Sequence, residues 1–235
     1  MMSSIAEKLA KEMAGEITLS SEPGKTLKKW REIFGITQTD LARYLETHPS
    51  VISDYESGRR KSPGASVIKK IVTALIEIDD RRGGEITKAF EPLLIGEVKT
   101  EAIIDIREFS IPVKGFEVLE ATEGELLVNR DQLSREIYGY TVINSLKAIL
   151  EFSSEEFIRL YGWTNRRALI FTKVTAGRSP MIAIRVSPMK PGMVVLHGVE
   201  KMDELGLRIA EIEKIPLIIS RLPLDELVNK LRQIG

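Results

Sequence analysis

The sequence predicts an α + α/β protein, with an all-helical N-terminal domain followed by a C-terminal α/β domain built on a mixed sheet. Three observations predict it. Between residues 26 and 80, four short segments carry apolar side chains at helical spacing, with glycine or proline breaks between them. From residue 168 onward, apolar runs of strand length recur, and the last two flank a helical segment. Charge divides the chain in the same way. Residues 24–70 hold ten basic residues against five acids, a net +5, whereas the whole chain balances 34 Lys+Arg against 34 Asp+Glu. A length of 235 residues suits one large domain or two small ones. The expected division is a helical domain over 1–82, a connector over 83–133 and an α/β domain over 134–235.

In the first segment Ile5, Leu9 and Met13 share one helical stripe, and Gly15 is the expected stop. The loop Ser20 to Gly24 separates it from a helix over Thr26 to Phe34, with Leu27, Trp30 and Phe34 inward and Gly35 ending it. The next helix opens at Thr37 and buries Leu41, Ala42 and Leu45. The third starts at Pro49, whose missing N–H would be unpaired at that position anyway, turns Ile52 and Tyr55 inward and closes at Gly58. After Pro63-Gly64 the fourth places Ile68, Ile71, Val72 and Leu75 at i, i+3, i+4 and i+7.

Arg81-Arg82-Gly83-Gly84 interrupts the pattern, and 85–133 reads as weak helix followed by irregular or strand segments such as Ala102 to Ile106. Beyond it come a helix around Val142 to Leu150 and a capping box of Ser153 and Glu156 opening a helix to Gly162. Strands are expected at Ala168 to Thr175, Met181 to Val186, Met193 to His197 and Ile215 to Ile219. A helix over Met202 to Glu213 lies between the last two, and a final helix carries Leu224, Leu227, Val228 and Leu231.

Composition narrows the chemistry. With no cysteine, disulfides, thiolate metal sites and thiol nucleophiles are excluded, and His48 and His197 are the only imidazoles. No catalytic residue, metal or cofactor is therefore expected, nor is a phosphate-cradling glycine loop or nucleophile elbow found after residue 100. Apolar stretches break well before the roughly 18 residues of a membrane span. The N-terminus carries acids and no uninterrupted apolar core, so neither membrane nor secretory routing is expected and the location is read as cytoplasmic. Three glutamines, four asparagines and 29% charged residues match proteins of hot environments.

Two helices joined by a tight turn, the second offering its outer face, can seat a helix in the major groove, which is about 12 Å wide. Residues 37–58 have those proportions. Thr37-Gln38-Thr39-Asp40-Leu41-Ala42, followed by Val51-Ile52-Ser53-Asp54-Tyr55-Glu56-Ser57-Gly58-Arg59, resembles the helix-turn-helix of Xre/Cro-type repressors, over about residues 24–80. The resemblance implies that Gln38 opens the first motif helix, where its amide contacts a phosphate and buttresses the reading helix. It implies that Thr47, His48, Pro49, Ser50, Ser53 and Asp54 stand at the leading end and outer face, where the family reads bases. Arg59, Arg60 and Lys61 follow at phosphate reach, and Arg31 with Glu56 matches a partly buried structural ion pair. Pro49 and Ser50 stand where the family often has long amides, so few bidentate base contacts are expected and DNA shape carries more of the discrimination. Trp30 is read as core.

In the α/β half, the short link Ala176 to Pro180 and the next, Ser187 to Gly192, are read as hairpins between antiparallel neighbours. Strands 168–175, 193–197 and 215–219 would then run parallel. Their carboxyl ends would gather Thr175, Arg178, Ser179, His197 and Arg221, donors suited to a phosphate or carboxylate. The alternative is that both arginines are solvated loop charges and His197 simply ends a strand. The layout resembles archaeal predicted regulators that join such a head to an α/β domain. The expected function is a non-enzymatic, sequence-specific transcriptional regulator of duplex DNA, a homodimer whose second domain serves dimerisation, sensing of a small anionic effector, or both. The competing readings are an enzyme on a small phosphorylated metabolite with an accessory DNA-binding head, and a module that recruits protein partners.

Overall fold

The computed structural model describes residues 3–61, 63–91, 100–153 and 156–235, and the chain falls into two compact units, residues 1–97 and 98–235. The first is helical: α1 (Ser4–Leu19), α2 (Pro23–Ile33), α3 (Gln38–Tyr44), α4 (Pro49–Glu56), α5 (Ala65–Arg81) and α6 (Glu85–Ala89). Ser3 caps α1 by accepting from the Ala6 N–H, and Leu9, Met13 and Ile17 bury one stripe. Gly15 does not end this helix as expected. A helical glycine costs about 1 kcal/mol relative to alanine, and tertiary contacts beyond it outweigh that. Ile17 is fully buried, and the Glu16 carboxylate accepts from Lys29 Nζ at 2.5 Å and Trp30 Nε1 at 2.6 Å. Trp30 is core, tilted against Phe90 at a ring separation of 5.9 Å. The long helix α5 buries Ile68, Ile71, Val72 and Leu75 and packs along α1.

The second unit is a six-stranded sheet in the order β1-β3-β4-β5-β6-β2. The strands are β1 (Ile103–Lys114), β2 (Glu125–Val128), β3 (Glu136–Asn144), β4 (Ala168–Thr172), β5 (Met193–His197) and β6 (Leu217–Ser220). The central β3, β4, β5 and β6 are mutually parallel, and the edges β1 and β2 pair antiparallel. The helices are α7 (Gly115–Ala121), α8 (Ser145–Glu151), α9 (Arg178–Val186), α10 (Glu204–Glu213) and α11 (Leu224–Leu231). One apolar layer joins the sheet to α8, α9 and α10 through Ala148, Met181, Ile184 and Ile209, and the other joins it to α7 and α11 through Val118, Leu227 and Leu231. With both faces covered, β4 and β6 are buried at every position, as parallel strands require. No helix among the described residues is long and apolar enough to cross a membrane.

Three expectations are corrected here. The segment expected as a connector over 83–133 contains α6, β1, α7 and β2, and β1 and β2 are the edges of the sheet; its stretch 92–99 lies outside the described residues. Val142 to Asn144 end strand β3, so the helix expected from Val142 starts only at Ser145, where the Asn144 side chain caps it. Met181 to Val186 is not a strand but the body of α9. An apolar run of six residues fits either state. Gly177, held at φ 74°, starts the helix and Pro180 fits its first turn, so Met181 and Ile184 bury while Ile182 and Val186 face out. The two expected hairpins are therefore one crossover, β4-α9-β5. The parallel relation of β4, β5 and β6 stands, and the helix expected between the last two is the second crossover, α10. The Ser153–Glu156 capping box forms in both directions and opens a short 3-10 helix, Glu156–Tyr161.

Candidate nucleic-acid interface

Helix α3 begins at Gln38 because Thr37 caps it, its hydroxyl accepting the Asp40 N–H at 3.1 Å. The turn to α4 passes through Glu46, in a left-handed conformation at φ 52°, and the Thr47 N–H returns to the Ala42 carbonyl at 2.9 Å. Pro49 is the first residue of α4, and His48 at its cap makes no side-chain capping bond. Pro49 has no N–H and the Val51 N–H donates to the His48 carbonyl at 2.9 Å, so at the leading end of α4 the Ser50 N–H is left for an outside acceptor such as a phosphate.

Three contacts fix how α4 is presented. Ile52 buries its inner face. The Arg31 guanidinium holds Glu56 with both arms, Nε to Oε1 at 2.6 Å and Nη2 to Oε2 at 2.8 Å, while Nη1 donates to the Ile36 carbonyl at 2.8 Å. Gln38 Nε2 adds a bond to Glu56 Oε2 at 2.7 Å, so one carboxylate joins α2, α3 and α4. Gly24, at the start of α2, lies so close to α4 that a Cβ there would stand 2.1 Å from the Tyr55 carbonyl oxygen. Sequence reasoning missed that contact, because it placed Gly24 in a loop before a helix expected from Thr26, whereas α2 starts at Pro23.

Outward, Thr47, His48 and Ser50 are exposed, and Pro49, Ser53 and Asp54 are partly exposed. Ser50, Ser53 and Asp54 share one face by helical spacing. Gly58, at φ 74°, turns the chain so that Arg59, Arg60 and Lys61 follow directly, all exposed. Two of these cations are positioned: Arg59 Nε lies 2.9 Å from Asp54 Oδ1, and the Arg60 guanidinium sits over the Tyr55 ring at 5.6 Å. A polar helix face bordered by three cations, on a scaffold tied beneath by a buried ion pair, can enter a groove and hold the adjoining phosphates.

The expected ligand residues of the second unit do not stay together. Thr175, Arg178 and Ser179 line a cavity between α8, α9 and the loop after β4. His197 and Arg221 are not among its lining residues. His197 Nε2 donates to the Leu222 carbonyl at 2.8 Å, and Arg221 Nη1 bonds Glu125 at 3.0 Å. Arg178 is itself tied to Asp203 at 2.5 Å, which raises its pKa and lowers that of Asp203 through the bond they share. The five residues expected at the ends of β4, β5 and β6 thus do not line one cavity: Arg178 is held by Asp203 at the cap of α10 and Arg221 by Glu125 of β2. Ser145, Lys173 and the α8 residues Leu146 and Ile149 also line the cavity, and sequence reasoning passed over them. Among the described residues, no group of three or more His, Asp or Glu side chains is placed to hold a metal ion.

The first unit and its outward α4 define a helix-turn-helix DNA-binding protein, and the helix-turn-helix family model matches residues 27–76. An uncharacterised HTH-type transcriptional regulator of Methanocaldococcus jannaschii is 50% identical over 230 residues, 97% of this chain and 95% of that protein. Another from Archaeoglobus fulgidus is 48% identical over 227 residues, 96% of each chain. The chain belongs to this family of archaeal helix-turn-helix transcriptional regulators. Endothelial differentiation-related factor 1 of Homo sapiens is similar over 54 residues only, at 44% identity, covering 23% of this chain and 36% of that protein. No solved structure matches the chain. Relatives named as regulators point away from the enzymatic alternative.

Proposed function

We propose that this regulator reads duplex DNA in a sequence-specific manner as a cytoplasmic homodimer. Ser50, Ser53 and Asp54 of α4 face the bases; Gln38 and residues 47–49 contact the leading edge; Arg59, Arg60 and Lys61 contact phosphates. The observation that carries this reading is the outward face of α4, flanked by those cations and braced through Glu56. One reading helix spans too few base pairs for useful discrimination, so two copies act together, on half-sites about 10 bp apart or a multiple of that. The C-terminal unit supplies dimerisation and responds to a small anionic ligand at the Thr175, Arg178 and Ser179 end of its cavity, and ligand occupancy shifts operator affinity.

Genomic fragments retained by the full chain, sequenced and then footprinted, test this. The expected footprint has two-fold repeat symmetry and is bound by a dimer. A footprint without symmetry, or a monomer at binding concentrations, overturns the dimeric reading. Retention without sequence preference overturns the specific one.

A further inference from the structure

The cavity of the second unit has two kinds of wall. Its apolar lining includes Ile149, Phe152, Phe157, Phe171 and Val186, of which Phe171 is buried while Ile149 and Val186 are 66% and 78% exposed. Its polar lining comes mainly from one stretch, Lys173 to Ser179, that follows β4 and opens α9. Carboxyl ends of parallel strands are where open α/β sheets receive ligands.

Four features of that lining select an anion. Among the described residues no acidic side chain lines the cavity, whereas Lys173 and Arg178 do. Arg178 is neutralised by Asp203, but among the described residues no carboxylate lies within ion-pair distance of Lys173. Helix α9 opens on Gly177, which has no side chain to cap it, so its first N–H groups are left for an acceptor from outside the helix. Ser145, only 6% exposed, has a buried Oγ with no hydrogen-bond partner. A buried hydroxyl left unpaired is unfavourable and is ordinarily satisfied by protein, water or ligand.

A bare phosphate would leave the aromatic and aliphatic walls wet, and a plain hydrocarbon would leave Lys173, Ser145 and the start of α9 unanswered. We infer that this cavity binds an apolar carboxylic acid, its hydrocarbon body against α8 and α9, its carboxylate received by Lys173 and the first turn of α9, with Ser145 as the buried donor. The inference rests on the reading of the second unit as an anion sensor and names the ligand class of that site.

Isothermal titration of the full chain with decanoate, decanol and inorganic phosphate tests it. Decanoate, kept below its micelle concentration, is expected to saturate at one per chain, decanol to bind about ten-fold more weakly and phosphate not to register. Lys173→Gln should weaken decanoate about ten-fold and leave decanol unchanged. Ser145→Ala carries a signature of opposite sign: the ligand-free chain unfolds at a higher temperature, because an unpaired buried hydroxyl is removed, while decanoate binds several-fold more weakly. The inference is overturned if decanoate fails to saturate, if decanol or phosphate binds as tightly, or if Ser145→Ala lowers the midpoint of the ligand-free chain. Operator affinity measured with and without decanoate separates the two readings. Saturable decanoate binding that leaves it unchanged supports the site and overturns its role in sensing.

Discussion

Arg31 and Glu56 form a bidentate ion pair across 25 residues of sequence, at 2.6 and 2.8 Å, with both residues less than a tenth exposed. Breaking such a pair from one side strands a buried charge and costs about 3–5 kcal/mol. Glu56→Ala should therefore lower the unfolding midpoint of the first unit sharply, since it also frees Gln38 and loosens α3 from α4. Trp30, buried in the same unit, reports the transition by fluorescence once Trp163 of the second unit is replaced by Phe in parent and variant alike. A midpoint equal to that of the parent chain would show that the pair contributes nothing.

Asp54 and Arg59 are joined in the DNA-free protein, Oδ1 to Nε at 2.9 Å, so their substitutions should not be independent. Arg59→Ala should weaken all sequences alike and reduce the salt slope of binding by about one. Asp54→Ala should instead change base preference, and by releasing Arg59 it should raise affinity for non-specific DNA. Competition binding over a range of salt concentrations distinguishes them. Identical sequence profiles and slopes for the two variants would mean that α4 is not the reading helix.

The reading helix was legible because local chemistry punctuates it. Pro49 can only start a helix, Gly58 accepts a left-handed conformation, and Ile52 marks the inner face. The edge strand β1 was not legible. Its sequence mixes Asp105, Arg107 and Glu108 among apolar residues, carries Pro112, and pairs with β3 through two register shifts, all tolerated at an edge and none typical of a central strand. The ion pair of Arg31 with Glu56 followed from the family resemblance, but the bond of Gln38 to the same carboxylate needed the structure. The cavity was only half legible. Thr175 and Ser179 were singled out at the end of a strand expected to reach Thr175, which stops at Thr172, whereas Ser145 was expected inside a helix from Val142 and Lys173 inside the strand, and both instead follow the ends of β3 and β4.

Gly24 gives a steric test of how α4 is seated. A methyl group there would lie 2.1 Å from the Tyr55 carbonyl oxygen and 3.1 Å from that of Glu56, so α2 must move away from α4. Gly24→Ala should destabilise the first unit despite alanine's better helix propensity and should weaken DNA binding by tilting the reading helix. At Gly15, where a Cβ meets nothing within 4 Å, the same substitution should stabilise α1 by about 0.5–1 kcal/mol. Thermal melts of the two variants, followed through Trp30 in the same Trp163→Phe background, decide the matter. Shifts of the same sign at both positions would contradict the packing.

Asp105 on β1 gives a pH test in the second unit. Burial raises its pKa, but the Arg232 guanidinium, at 2.9 and 3.2 Å, and the Tyr140 hydroxyl, donating at 2.6 Å, outweigh it, so the carboxyl is held below the ordinary 3.8. Tyr140 stays a donor throughout, because burial first and the neighbouring carboxylate second raise its own pKa far above that of a free phenol. A carboxylate with a depressed native pKa stabilises the fold fully above its unfolded value, and this contribution is lost as pH falls through the native value. The difference in urea midpoint between the parent chain and Asp105→Asn should be constant from pH 7 to about 5 and should shrink below about 4, where the parent becomes protonated as well. Measured at low salt and again at high salt, the neutral-pH difference should shrink without vanishing, because the Arg232 side chain is 54% exposed and its attraction is screened, whereas the bond from Tyr140 is not. A difference that is absent at neutral pH, or that widens as acid is added, would show that Arg232 and Tyr140 do not hold Asp105 in its charged form.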